Sequence, residues 1–282
     1  MPDSPIQEIV CCMGLPVAGN PTQFMMERAF SAAGLDWRYL TLEVAPNDLA
    51  TAIGGMRSMG FRGGNFTLPH KVSVIEHLDR LSEAAQLMGA VNCVSNENGA
   101  LVGENTDGKG FVESLRQITD PTGKRIVLFG GGGAARAIAV ELALAGVESM
   151  TIANRTAERG ESLVALLNEK TETPADFILW DSDFPIPEDA DVVINATSIG
   201  LGAPQDRLPI VAESFCDSQV VADVVFNPVH TRFLKEARDQ GCRTLDGLGM
   251  LVNQGVIGFQ IWTGIEPDRA IMREALEEYL EI

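Results

Sequence analysis

Apolar positions along this chain form short continuous runs, separated by longer stretches in which apolar residues recur at helical spacing. Residues 9–13, 37–44, 61–67, 91–95 and 100–103 read as strands. Between them, residues 22–33 and 47–59 read as helices, each ending near a glycine, Gly34 and Gly60. Residues 69–78 and 81–88 read as two shorter helices. The alternation implies a first α/β domain of about a hundred residues. Residues 107–118 read as a helix leading into the turn Asp120-Pro121-Thr122-Gly123, with a hinge expected near residues 104–108.

Residues 125–129 are apolar without polar alternation, as expected of a parallel strand covered on both faces. Residues 134–145, rich in Ala, Leu and Glu, read as a helix that Gly146 stops, and residues 149–153 as a second strand. This is a βαβ unit with Gly130, Gly131, Gly132 and Gly133 at its first turn. Further strands are expected at residues 176–180, 191–196, 220–225 and 243–245, completing a doubly wound sheet, with an acidic, proline-containing loop over residues 181–190. Residues 247–282 read as two helices interrupted by Gly264-Ile265-Glu266-Pro267. Having no strand of its own, this last stretch is expected to return to the first domain. The fold class is therefore α/β with two domains: residues 1–105 with 244–282 as an α/β substrate-binding domain, and residues 106–243 as a Rossmann nucleotide-binding domain.

A glycine run can serve only as a turn, but here a strand precedes it and a helix follows. Gly130 and Gly132 would let the backbone turn and approach a pyrophosphate, and Gly133 would let helix and strand pack closely. The phosphates would sit at the helix N-terminus, by Gly131 and Ala134. An NAD site would place Asp or Glu at the end of the second strand to bond the ribose hydroxyls. This chain has Asn154, 21 residues after Gly133, followed by Arg155, Thr156 and Arg159. Two guanidiniums and a hydroxyl in place of a carboxylate suit a 2′-phosphate, and so NADP. The alternative is that Thr156 only caps the next helix and the arginines are solvated.

The formal charge of −18 disfavours nucleic acid and anionic membrane, leaving a small molecule as the expected ligand. Hydrophobic content is 45% of 282 residues with no run of eighteen apolar residues, and the amino terminus has no basic region leading into an apolar one; a cytoplasmic protein is expected. Five cysteines, without metal-ligand spacing, are expected to be reduced and mostly buried; with only three histidines, no metal is expected. A homodimer is compatible with the sequence.

Candidate chemistry lies in Gly63-Gly64-Asn65-Phe66-Thr67-Leu68-Pro69-His70-Lys71, at a strand end, where α/β proteins place ligands. Asn65 and Thr67 share one side of the strand. Lys71 enters the following helix near its N-terminus, where the dipole would depress an amine's pKa toward the range useful for proton transfer. A solvated surface lysine is the alternative. Asp107, at the expected hinge, is a candidate to bind a substrate hydroxyl, or else caps the helix beside it. His70 is a second candidate acid or base, ranked below Lys71 because adjacent helix positions point in different directions.

These residues resemble the shikimate and quinate dehydrogenases. Asn65 through Lys71 is similar to the family's NVTxPxK motif, Gly89-Ala90-Val91-Asn92-Cys93-Val94 to its GAVNTV, and Asn105-Thr106-Asp107-Gly108 to its NTDG. Gly132-Gly133-Ala134-Ala135-Arg136 resembles its cofactor loop, and Asn154-Arg155-Thr156 with Arg159 its NADP clamp. Asn195-Ala196-Thr197-Ser198 and Gly247 through Gln254 complete the resemblance, which spans nearly the whole chain. It implies an NADP-dependent dehydrogenase of the chorismate pathway acting on shikimate or quinate, or a non-catalytic sensor retaining the fold. Lys71 and Asp107 would be the catalytic pair. Asn92, Asp107 and Gln254 would bind substrate hydroxyls and Thr67 the acid end, while Thr197 and Gly247 would meet the cofactor. Three positions depart from the family. Asn20-Pro21-Thr22 replaces its Ser-x-Ser, and Phe226 replaces a tyrosine. Since all three would face the substrate carboxylate, substrate choice is the expectation most exposed to correction.

Overall fold

The structure, a computed structural model, describes residues 6–282; residues 1–5, on which the reading of the amino terminus partly rests, lie outside the described residues. Two compact units divide the chain, residues 1–106 with 254–282 and residues 107–253. The first unit begins β1 (Glu8–Gly14), α1 (Thr22–Ala32), β2 (Trp37–Glu43), α2 (Leu49–Ser58), β3 (Gly63–Phe66) and α3 (His70–Ser73). It continues β4 (Arg80–Leu81), α4 (Glu83–Met88), β5 (Cys93–Glu97) and β6 (Ala100–Glu104). Its sheet runs β2-β1-β3-β5-β6-β4. β1 is parallel to β2 and β3, and β5 is antiparallel to both β3 and β6. Cys11, Met13, Ile53, Phe66, Val91 and Leu101 fill the core under α2.

At the free edge of this sheet, backbone N–H groups of β2 would lack partners. α1 supplies them: Glu27 Oε1 accepts from Tyr39 N at 2.6 Å and, one helical turn earlier, Gln23 Oε1 accepts from Thr41 N at 3.1 Å.

The second unit contains α5 (Thr106–Arg116, from its second residue), β7 (Arg125–Phe129), α6 (Gly133–Leu144), β8 (Ser149–Asn154), α7 (Ala157–Lys170) and β9 (Ala175–Leu179). It continues β10 (Phe184–Pro185), β11 (Val192–Asn195), β12 (Ile210–Val211), β13 (Val220–Asp223), α8 (Arg232–Asp239) and β14 (Arg243–Leu245). Its main sheet is wholly parallel in the order β14-β13-β11-β7-β8-β9, the doubly wound order whose direction of winding reverses between β7 and β11. β11 and β13 are buried along their whole length, which explains their unbroken apolar runs. β10 and β12 pair within the stretch expected to be loop and the segment after β11.

α9 (Gly247–Thr263) and α10 (Arg269–Leu280) end the chain. The division falls inside α9 rather than at the expected boundary of residues 243 and 244, because β14 pairs with β13 and draws residues 247–253 to the second unit. From Gln254 onward the chain belongs to the first unit. There Phe259 packs on Phe30 at 5.2 Å between ring centroids, and Trp262 Nε1 donates to Val94 O at 2.9 Å. No helix among the described residues is long and apolar enough to cross a membrane.

Candidate active site

In the first unit, Asn20 and Thr22 follow the C-terminal end of β1 and Thr67 that of β3, strands that pair with Met13 opposite Phe66. Thr67 N donates to Met13 O at 3.0 Å, and Gly14 has no room for a side chain: its Cβ would fall 2.4 Å from Thr67 Cγ2. Glycine at the end of β1 therefore lets Thr67 close over it.

Lys71 is half-buried in α3, which has four residues. The expected helix over residues 69–78 is broken here: α3 ends at Ser73, residues 74–77 wind as a 3-10 turn, and Lys71 O accepts Val91 N at 2.7 Å. One turn carries little of a macrodipole, so the helix-end argument for Lys71 loses its physical basis. Its place is the ground that remains: the same bond sets Lys71 beside Asn92, and its charge acts on Cys12. His70, by contrast, is fully buried with Nε2 2.8 Å from Val44 O, a structural position.

Asn92 is buried and held on both sides of its amide. Its Oδ1 accepts Thr106 N at 2.7 Å, and its Nδ2 donates to Thr106 Oγ1 at 3.0 Å. Asp107 is the second residue of α5, in its first turn. Thr22 is buried, and Asn20 Oδ1 accepts its backbone N–H at 2.9 Å while Asn20 Nδ2 donates to Cys12 Sγ at 3.5 Å. Asn20, expected to offer its amide to a carboxylate, thus has the oxygen and one amide hydrogen engaged within the fold. Gln254 is buried on α9, next to Gly255, whose Cβ would press on Met25 and Met272.

In the second unit, Gly130 has φ of +126°, and its Cβ would lie 2.7 Å from Ala196 O, where the winding reverses. A Cβ on Gly131 would meet Asn154 Nδ2. Gly132, extended before α6, and Gly133 would meet nothing within 4 Å. The close packing expected of Gly133 therefore falls to Gly130 and Gly131. Gly132 and Gly133 leave an open cradle by Ala134 at the start of α6, as a pyrophosphate requires.

That cradle borders a cavity of about 680 Å³ lined by Gly131, Gly132, Gly133, Arg136, Glu158 and Arg159, with Ser162 and Leu163. Arg155 and Thr156 are exposed at the end of β8, shaped by Asn154 Nδ2 donating to Thr156 O at 2.8 Å. Thr156 makes no side-chain cap bond to α7, which argues against the capping alternative. From sequence, Ser162 was not singled out and Arg136 entered only as the end of the stretch resembling a cofactor loop. Their signal was spacing: each follows a proposed phosphate contact, Gly133 and Arg159, by three helical positions. Partial burial holds the Arg136 guanidinium below the ordinary arginine range. The donor set and the open glycines fit a phosphorylated dinucleotide.

Thr197, Phe226 and Gly247 lie at the C-terminal ends of β11 and β13. Thr197 Oγ1 donates to Asn195 Oδ1 at 2.7 Å. A Cβ on Gly247 would meet Val224 O and Val225 O at 2.4 and 2.5 Å, which sets the start of α9 against the backbone before half-buried Phe226. Asn195 and Asp223, partners in the sheet register, tie these loops together. Asp223 Oδ1 accepts from Asn195 Nδ2 and Val225 N, and Oδ2 from Thr231 Oγ1 at 2.7 Å. Burial pushes the Asp223 carboxyl up to about 6, against those three bonds. This pair was missed from sequence, although each residue is the polar end of an apolar strand run. Wholly parallel sheet, glycine cradle and basic turn define a dinucleotide-binding α/β protein.

Residues 12–94 match the shikimate dehydrogenase substrate binding domain, residues 113–201 the shikimate/quinate 5-dehydrogenase family, and residues 247–277 the shikimate 5'-dehydrogenase C-terminal domain. The chain belongs to the shikimate/quinate dehydrogenase family. The shikimate dehydrogenase (NADP(+)) of Moorella thermoacetica is 43% identical over 96% of this chain and 92% of its own. Among solved structures, the ligand-free 5-ketofructose reductase of Gluconobacter sp. strain CHM43 is 50% identical. It covers 98% of this chain and 99% of its own with a TM-score of 0.96. The shikimate 5-dehydrogenase of Thermus thermophilus, in complex with NADP(H) and shikimate, is 35% identical over 97% and 100% of the two chains, with a TM-score of 0.84.

Proposed function

We propose that this chain catalyses the reversible NADP-dependent oxidation of shikimate to 3-dehydroshikimate. The reading is carried by its identity with a relative named shikimate dehydrogenase (NADP(+)) over a span that takes in every proposed site residue. Gly132 and Gly133 would admit the pyrophosphate, and Arg155, Thr156 and Arg159 the 2′-phosphate, with Thr197 and Gly247 toward the nicotinamide. When bound, NADP supplies the hydride chemistry. Lys71 exchanges a proton with the reacting hydroxyl. Asp107, Asn92 and Gln254 hold ring hydroxyls, and Thr67, Thr22 and the remaining amide hydrogen of Asn20 the acid end. The proposed compartment is the cytoplasm, where unpaired cysteines stay reduced.

A second reading is favoured by the acid end itself. Asn20 has its oxygen and one amide hydrogen engaged with Thr22 and Cys12, and Phe226 offers no donor. A neutral polyhydroxylated ketone needs no carboxylate donors, and the 5-ketofructose reductase is the 50% identical neighbour. Purified protein is therefore assayed in two arms: shikimate with NADP⁺, followed by growth of the reduced-nicotinamide absorbance, and 5-ketofructose with NADPH, followed by its loss. Turnover of shikimate supports the first reading, and turnover confined to 5-ketofructose replaces it with the second. Measurable ligand binding without turnover in either arm makes the chain a sensor.

A further inference from the structure

Beneath the proposed substrate residues of the first unit runs a buried line of polar side chains, joined at three points by directed hydrogen bonds. Asn65 Nδ2 donates to Asn92 O at 3.0 Å, since a carbonyl can only accept, and this turns Asn65 Oδ1 toward Tyr39. The Tyr39 hydroxyl donates to that oxygen at 2.6 Å. Its single proton is then committed to Asn65, and the Cys12 thiol lies beside the same hydroxyl. The Cys12 sulfur in turn accepts Asn20 Nδ2 at 3.5 Å. Tyr39 is fully buried, with its backbone N–H fixed by Glu27 Oε1. Burial raises its hydroxyl well above the ordinary tyrosine value and pushes the Cys12 thiol up to about 11, so both remain protonated at neutral pH.

We propose that Tyr39 is a positioning residue for the substrate site, holding Asn20 through Cys12 and Asn92 through Asn65 in one fixed arrangement. The inference rests on the reading above that Asn20 and Asn92 meet the substrate. Neutral links inside a core cost little when every donor has an acceptor, and deleting one leaves its neighbours unpaired. Loosening this line should weaken substrate binding and spare the nucleotide-binding residues, which belong to the other unit.

The test uses Tyr39→Phe, which deletes only the hydroxyl, and Cys12→Ala, which cuts the line at Asn20 and serves if Tyr39→Phe fails to fold. With shikimate or 5-ketofructose, whichever turns over, each variant should raise substrate KM about tenfold, change kcat less than about threefold and leave the NADP Kd unchanged. Tyr39→Phe should add nothing further in an Asn20→Ala, Asn92→Ala background. Substrate KM within about twofold of the parent, or an equal loss of NADP affinity, overturns the proposal. Asn20→Ala and Asn92→Ala alone separate the two failures. If they raise KM while the line variants do not, the positioning role is wrong; if they too leave KM unchanged, the underlying site reading is wrong and the role falls with it.

Discussion

A Cβ on Gly131 would fall 2.9 Å from Asn154 Nδ2, so the second glycine of the cofactor loop packs its backbone against the amide that ends β8. That amide also donates to Thr156 O, which shapes the turn carrying Arg155. An aspartate here would lose the donor, so the residue that excludes a ribose-binding carboxylate also builds the basic turn.

The first prediction follows from that turn. Arg155→Ala combined with Arg159→Ala should weaken NADP by about 100-fold or more and NAD by less than about threefold, since charge-assisted bonds contribute about 1.5–3 kcal/mol each and only NADP has the phosphate to lose. Fluorescence titration with both cofactors decides it, and equal weakening would show that the arginines are structural.

A second prediction concerns the acid end. Phe226→Tyr and Asn20→Ser restore hydroxyls at two positions expected to face the substrate carboxylate, and each should lower shikimate KM by about 10-fold or more. Their kcat/KM for 5-ketofructose should not improve. If shikimate KM is unmoved in both, these positions do not contact the acid group.

Much of this was readable from pattern, and the exceptions have physical causes. The apolar run Arg125–Phe129 appears with the bounds expected, because a strand buried on both faces leaves no ambiguity of period; the edge strand Arg243–Leu245 also has the bounds expected. β4, β10 and β12 have two residues each, too few to show a period. α8 was not anticipated; its buried Phe233, Leu234 and Ala237 are outnumbered by charged neighbours, and only the Thr231 cap marks its start. Which glycine of the loop is crowded depends on Ala196 and Asn154, distant in sequence, and so could not be assigned from spacing. For the same reason the Asn195–Asp223 pair and the line through Tyr39 emerged only from strand register and burial.

Asp223 gives a pH prediction. Its carboxyl rises from an ordinary 3.8 to about 6 on burial, so between those values the folded chain keeps a proton that the unfolded chain releases. The stability this group contributes is therefore full below 3.8 and lost as pH rises through about 6. The change corresponds to about 3 kcal/mol. Asp223→Asn removes the titration while keeping an acceptor for Asn195 and Val225. In urea unfolding, the variant's stability relative to the parent should improve by up to about 3 kcal/mol between about pH 4 and pH 7. A difference that stays constant over that range would mean that Asp223 is not titrating there.

The central claim is that Lys71 moves the proton in an NADP-dependent oxidation, with Asp107 assisting. Asp107→Asn should lose in both kcat and KM, because that residue would also bind a substrate hydroxyl. The most direct measurement is kcat of Lys71→Ala at saturating substrate and NADP⁺, with cofactor Kd measured alongside. A fall of roughly 10²- to 10⁴-fold with little change in cofactor affinity is predicted; an unchanged kcat would contradict it.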